Sequence, residues 1–173
     1  MHEQAIIPTR PGTLAEVVRR VRDENEELRF CLAGFLDEFY ADRVPAARRA
    51  RLEAEPSLLG DERRDALIGA IGEHLCDRWV LGGPPAWTHD PARFLAYPWF
   101  MGPERLKAFL LAESPSAFRR RFIFTEAEPL RRASMPKDGR WWAYETMRTG
   151  LVPEPGDIEP ASHVQPTDSL QMK

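Results

Sequence analysis

Apolar residues return every three or four positions through the first half of the chain, and that period is helical. Leu14, Val17, Val18 and Val21 share one face over 13–23. Thr13 and Glu16 stand at the spacing of a capping box, in which a hydroxyl and a carboxylate satisfy the free amides of a first turn. Leu28, Leu32, Phe35, Leu36 and Phe39 predict a second helix over 25–41, with Asp37, Glu38 and Asp42 off its stripe. Val44-Pro45 opens a short arginine-rich helix to about Ala54, because proline's fixed φ suits a first helical position. Over 61–80, Leu67, Ile71, Leu75 and Arg78 align, flanked by Ile68, His74 and Trp79, and predict the central core helix. Gly69 and Gly72 inside it each cost about 1 kcal/mol against alanine, so they read as points of close contact. Leu32, Phe35, Leu36, Leu67, Ile71 and Leu75 are expected to pack on one another.

The second half has another texture. Trp87, Phe94, Tyr97, Trp99 and Phe100 lie among Pro84, Pro85, Pro91, Pro98 and Pro103, which predicts a connector whose aromatics cap the helices. Gly102-Pro103 opens a helix to about Glu113, and Ser114-Pro115 opens another, with serine as cap. Ile123-Phe124 suggests a brief extended piece. From Leu151 onward, prolines among polar residues offer too little apolar area to offset ordering entropy, and a disordered or loosely attached arm is expected. The expected fold class is all-α: a single compact helical domain of five to seven helices over 13–149. An N-terminal arm, 1–12, precedes it, a flexible proline-rich tail, 150–173, follows it, and no sheet of three or more strands is expected.

A chain of 173 residues suits one domain, and 43% hydrophobic residues with five tryptophans supply its core. The net charge of −3 gives no global attraction to nucleic acid or anionic lipid, so a binding patch must be local. No apolar run reaches the roughly 20 residues that span a bilayer. The opening residues lack the charged-then-apolar order of a signal peptide, and a cytoplasmic, bacterial-type protein is expected. Cys31 and Cys76 sit inside helical patterns and read as reduced core thiols.

Candidate chemistry is sparse. His2, His74, His89 and His163 have no ligand spacing, so neither a metal nor another cofactor is expected. Asp37 and Glu38 point apart on a helix and read as a solvated acidic face. Ser57, Ser114, Ser116 and Ser134 lack a nucleophile elbow. Gly82-Gly83 runs into two prolines, which lack the amide donors of a phosphate cradle. No catalytic residue is assigned, and the chain is expected not to be an enzyme, with a small enzyme of unknown reaction as one alternative.

Residues 119–140 are the exception. Seven cations (Arg119, Arg120, Arg121, Arg131, Arg132, Lys137 and Arg140) face three acids (Glu126, Glu128 and Asp138), a local surplus of +4. Such a segment can face water, anchor a protein partner, where arginine and aromatic residues are favoured, or contact phosphates in a nucleic-acid-binding regulator. Arg119, Arg120, Arg121, Phe122, Arg131 and Arg132 are the candidate partner-binding residues. At least two of the three consecutive arginines are expected to reach solvent or a partner.

Three pieces carry a resemblance: Leu36-Asp-Glu-Phe-Tyr40; Pro85-Ala-Trp87 with Arg93-Phe-Leu95; and Leu110-Leu-Ala-Glu-Ser-Pro115 running into Phe118-Arg-Arg-Arg-Phe-Ile-Phe124. Over about 13–133 the chain resembles uncharacterised small bacterial helical proteins that look like partners of nucleotidyltransferase-type toxins. The resemblance implies an antitoxin-like, non-catalytic protein that neutralises a toxin encoded nearby by occluding its active site. It assigns no residue roles, and the segment beyond Ser134 lies outside it.

Overall fold

Thr13 accepts a hydrogen bond from the Glu16 amide at 3.1 Å, while Glu16 Oε2 accepts one from the Gly12 amide at 2.7 Å. This reciprocal cap starts α1, Leu14–Asp23. The structure, a computed structural model, describes residues 9–160. Then come α2 (Leu28–Ala41), α3 (Pro45–Glu53), α4 (Glu62–Arg78), α5 (Lys107–Glu113), α6 (Ser116–Arg119) and α7 (Gly139–Thr149). The connector after α4 contains 3-10 turns at Ala86–His89 and Pro91–Arg93.

The fold is predominantly helical but not strictly all-α. β1, Trp99–Phe100, pairs in parallel with β2, Ile123–Phe124, and Trp99 lies opposite Ile123. The Trp99 amide bonds the Phe122 carbonyl at 2.7 Å, and the Met101 amide bonds the Phe124 carbonyl at 2.8 Å. Aromatic and β-branched side chains favour this pleated geometry. Among the described residues the sheet has only these two strands.

α4 is the centre. Ala66, Ile68, Ala70, Ile71, Leu75 and Cys76 are all buried, together with Asp65, Glu73, His74 and Arg78, so the helix is enclosed on nearly every side. α2 lays Phe35 and Phe39 into the same core as Leu52 of α3, Phe118 of α6 and Ile123 of β2. The two glycines of α4 are the contact points that their cost implies. A Cβ on Gly72 would lie 2.4 Å from the Trp87 ring, and one on Gly69 would lie 2.9 Å from Arg93 Cβ. Of the expected core set, Phe35, Leu36, Ile71 and Leu75 are buried, whereas Leu32 and Leu67 are only partly so.

α7 has no counterpart in the periodicity, because only Tyr144 is buried along it. It begins instead at a polar anchor, Asp138, whose carboxylate accepts from the Trp141 amide at 3.0 Å. The described part of the expected tail folds back on α7. Trp142 Nε1 donates to the Asp157 carbonyl at 3.1 Å, and the Glu159 amide donates to the Lys137 carbonyl at 3.0 Å. Residues 1–8 and 161–173, with most of the arm and the end of the tail, lie outside the described residues, as do His2 and His163.

Candidate protein-binding groove

Leu28, Leu32 and Leu36 occupy successive turns of α2, one helical step aside from the fully buried Phe35 and Phe39. They form one wall of an open cavity of about 470 Å³. Leu67 and Ile71 of α4 form the facing wall, and Phe118 and Met101 also border the space. The third wall is the segment 129–132, where Pro129 and Leu130 present apolar surface and Arg131 and Arg132 follow.

Three polar locks hold that third wall. Tyr40 donates its hydroxyl to the Leu130 carbonyl at 2.9 Å. Arg132 forms a two-pronged pair with Asp37 at 2.9 and 2.7 Å, and Ser134 donates to the same carboxylate. Hydrogen bonds from Arg132, with that of Ser134, hold the Asp37 carboxyl below its usual range despite partial burial. Beneath the wall, Arg78 of α4 binds Glu128 at 2.9 Å and Asp138 at 2.6 Å, with all three side chains buried. A buried charge of this kind survives only when paired, so the triad fixes the 128–138 segment to the core. Burial pushes the Glu128 carboxyl up, while the Arg78 pair and the Trp141 amide hold Asp138 down against the same penalty.

The candidate arginines are divided by this geometry. Arg131 and Arg132 border the groove. Arg119, Arg120 and Phe122 are exposed on the turn from α6 into β2, so two of the three consecutive arginines reach solvent. Phe122 holds φ 58°, a left-handed conformation that costs a non-glycine residue about 1–2 kcal/mol. Arg121 cannot belong to an exposed face: it is 0% exposed, pairs with Glu73 at 2.7 Å and donates to the Ala117 and Thr88 carbonyls. A single helical turn cannot point three successive side chains outward, and α4 supplies a buried acid to receive the third.

The surplus of +4 along the sequence is therefore not a surplus on the surface. Arg120 also reaches Glu73, at 3.0 Å; Arg131 reaches Glu126 and Glu145; Arg132 is matched by Asp37. Only Glu126 of these acids belongs to the segment counted, and the others come from distant helices. A phosphate-binding stripe needs cations free to release counterions, and most of these are engaged. The supposed solvated acidic face is paired too, Asp37 with Arg132, Glu38 with Arg10 and Asp42 with Arg51.

His74 and the two cysteines lie in the core. His74 is buried edge-on to Phe118 at 5.4 Å between centroids, and burial, aided by Arg140 and Arg78, pushes its imidazole down to about 3. Cys31 and Cys76 are free buried thiols, pushed up to about 12 and about 11 by burial first of all. Among the described residues no group of three or more His, Cys, Asp or Glu side chains could hold a metal ion, and no helix is long and apolar enough to cross a membrane. A second recess of about 490 Å³, lined by Phe109, Tyr144 and Met147, lies between α5 and α7.

Together these features define a predominantly helical domain with a pre-shaped apolar groove. No protein-family model, curated protein or solved structure matches the chain.

The residues that sequence reasoning missed are Leu28, Leu130 and the outward role of Leu32 and Leu67. One signal was present. The apolar arc of α2 includes Leu28, Cys31, Leu32, Phe35, Leu36, Phe39 and Tyr40, which is wider than one neighbour can cover.

Proposed function

We propose that this chain is a non-catalytic protein-binding module that seats an apolar segment of a partner in the groove between α2, α4 and the 129–132 wall. The observation that supports it is the groove itself. Leucines on two rigid helices stand partly uncovered, and the third wall is locked by buried ionic and hydrogen bonds rather than free to collapse onto them. A contiguous apolar recess with a polar rim marks an interaction site. Preorganisation lowers the ordering cost of binding there. Exposed Arg119, Arg120 and Phe122 form a second contact area on the α6–β2 turn.

The finer assignment, an antitoxin-like protein that occludes the active site of a nucleotidyltransferase-type toxin in the cytoplasm of a bacterium, rests on the sequence resemblance alone. The groove would grip the partner, and the α6–β2 turn would lie over its cleft.

Co-purification from the native host separates the two surfaces. Leu32→Asp places a charge in the groove at a partly exposed position, and it should abolish recovery of the partner while the circular dichroism spectrum stays native. Arg119→Glu with Arg120→Glu should weaken recovery without abolishing it. A folded Leu32→Asp variant that retains its partner at the wild-type level overturns the groove reading.

A further inference from the structure

Resting on that reading, we infer that the occupant of the groove is an acidic amphipathic helix: a partner segment with aliphatic residues on one face and aspartate or glutamate along its edges. Hydrogen-bond donors left unused on the arginines of the groove carry the inference. Arg29, Arg131 and Arg132 line it, and among the described residues no acidic one does. The acids that these arginines touch, namely Glu27, Asp37, Glu126 and Glu145, are not part of the lining.

Those acids leave donors over. Arg29 gives Nε to Glu27 at 2.7 Å, and its side chain is 73% exposed. Arg132 commits Nε and Nη2 to Asp37, which leaves Nη1. Arg131 reaches Glu126 and Glu145 only at 3.5 Å, and its buried Nε has no partner among the described residues. Arg29, with Nη1 and Nη2 uncommitted among the described residues, can meet a carboxylate with two parallel bonds, and Arg132 can add one from Nη1.

Spacing selects a helix. The wall from Leu28 to Leu36 covers about 12 Å at 1.5 Å per residue, the length of two helical turns. Arg29 stands at one end of that wall and Arg132, held by Asp37, at the other. A docked helix with aliphatic residues at i, i+3 or i+4 and i+7 would fill the trough, with acids about two turns apart beside the arginines.

A random peptide library displayed against the full chain, with the Leu32→Asp variant as counter-selection, tests this directly. Peptides enriched on the wild type should carry net negative charge and aliphatic residues at helical spacing. Binding of the best of them should weaken on the order of tenfold in an Arg29→Glu, Arg132→Gln variant, and should weaken with added salt. Enrichment of neutral or basic peptides leaves the groove reading standing and overturns the acidic occupant. No enrichment over Leu32→Asp overturns both. A wild-type chain that sediments as a dimer, split by Leu32→Asp, would seat a second copy in the groove and overturn the inference.

Discussion

At the scale of single residues, burial has been assigned to charges that composition would leave in water. Arg121, Arg78 and Arg93 are all nearly inaccessible, and the first two are tolerated because α4 or the 128–138 segment offers carboxylates to them. The sequence shows three arginines in a row but not which one is buried against Glu73, a residue 48 positions from Arg121. That choice depends on how α6 is rotated against α4, which no local pattern records. His74 shows the opposite case, a titratable group with no ionic partner and a strongly depressed proton affinity. An unfolded imidazole titrates near 6.5, so below that pH the unfolded chain binds a proton that the native chain refuses until about pH 3. The contribution of His74 to stability is thus complete above pH 6.5 and is lost progressively below it. Chemical denaturation of the wild type and a His74→Leu variant should show their stability difference shifting by about 1.4 kcal/mol per pH unit between pH 6 and pH 5, with the wild type losing more. A difference that stays constant over that interval would mean the imidazole is protonated in the native state.

At the scale of elements, α1 to α4 were legible because each carries an amphipathic period and most carry a recognisable start. Thr13 caps α1, Pro45 opens α3 and Asp61 caps α4. α7 was not legible, since two tryptophans, a tyrosine and two arginines give it no stripe and its start is fixed by Asp138 pairing with Arg78 across 60 positions. The strand pair was half legible: Ile123-Phe124 announces an extended piece, but its partner Trp99-Phe100 is hidden in a proline-rich run. The glycines of α4 show most plainly how packing overrides propensity. Alanine would favour the helix by about 1 kcal/mol at position 72, yet its Cβ would stand 2.4 and 2.8 Å from Trp87 ring atoms. The Trp87 indole is itself held by its bond to the Leu52 carbonyl at 2.9 Å. Gly72→Ala should therefore destabilise the domain by about 1–3 kcal/mol, the cost of overpacking, as read by thermal or urea unfolding. A stabilised variant would show that the tryptophan moves aside without loss.

At the scale of the whole molecule, the apolar residues were placed correctly on faces but not between inside and outside. Leu32 and Leu67 have the period of core residues, and they do pack against the core, yet each also borders the groove. Whether such a position is covered depends on what the 129–132 segment does, and that is decided by Tyr40, Asp37 and Arg78 reaching it from α2 and α4. The candidate arginines follow the same rule. Arg132 is held at the groove by Asp37, 95 positions away, while Arg119 and Arg120 remain on a separate turn. In the function proposed above, recognition falls to a pre-shaped apolar recess rather than to a basic stripe. The most direct measurement is a methyl-labelled NMR titration of the full chain with the partner it co-purifies with. The methyl signals of Leu28, Leu32, Leu67, Leu130 and Met101 should shift together, while Val17, Val18 and Leu52 in the sealed core stay in place. Groove methyls that remain unmoved while the methyl of Met147, in the α5–α7 recess, shifts instead would contradict a partner seated in the groove.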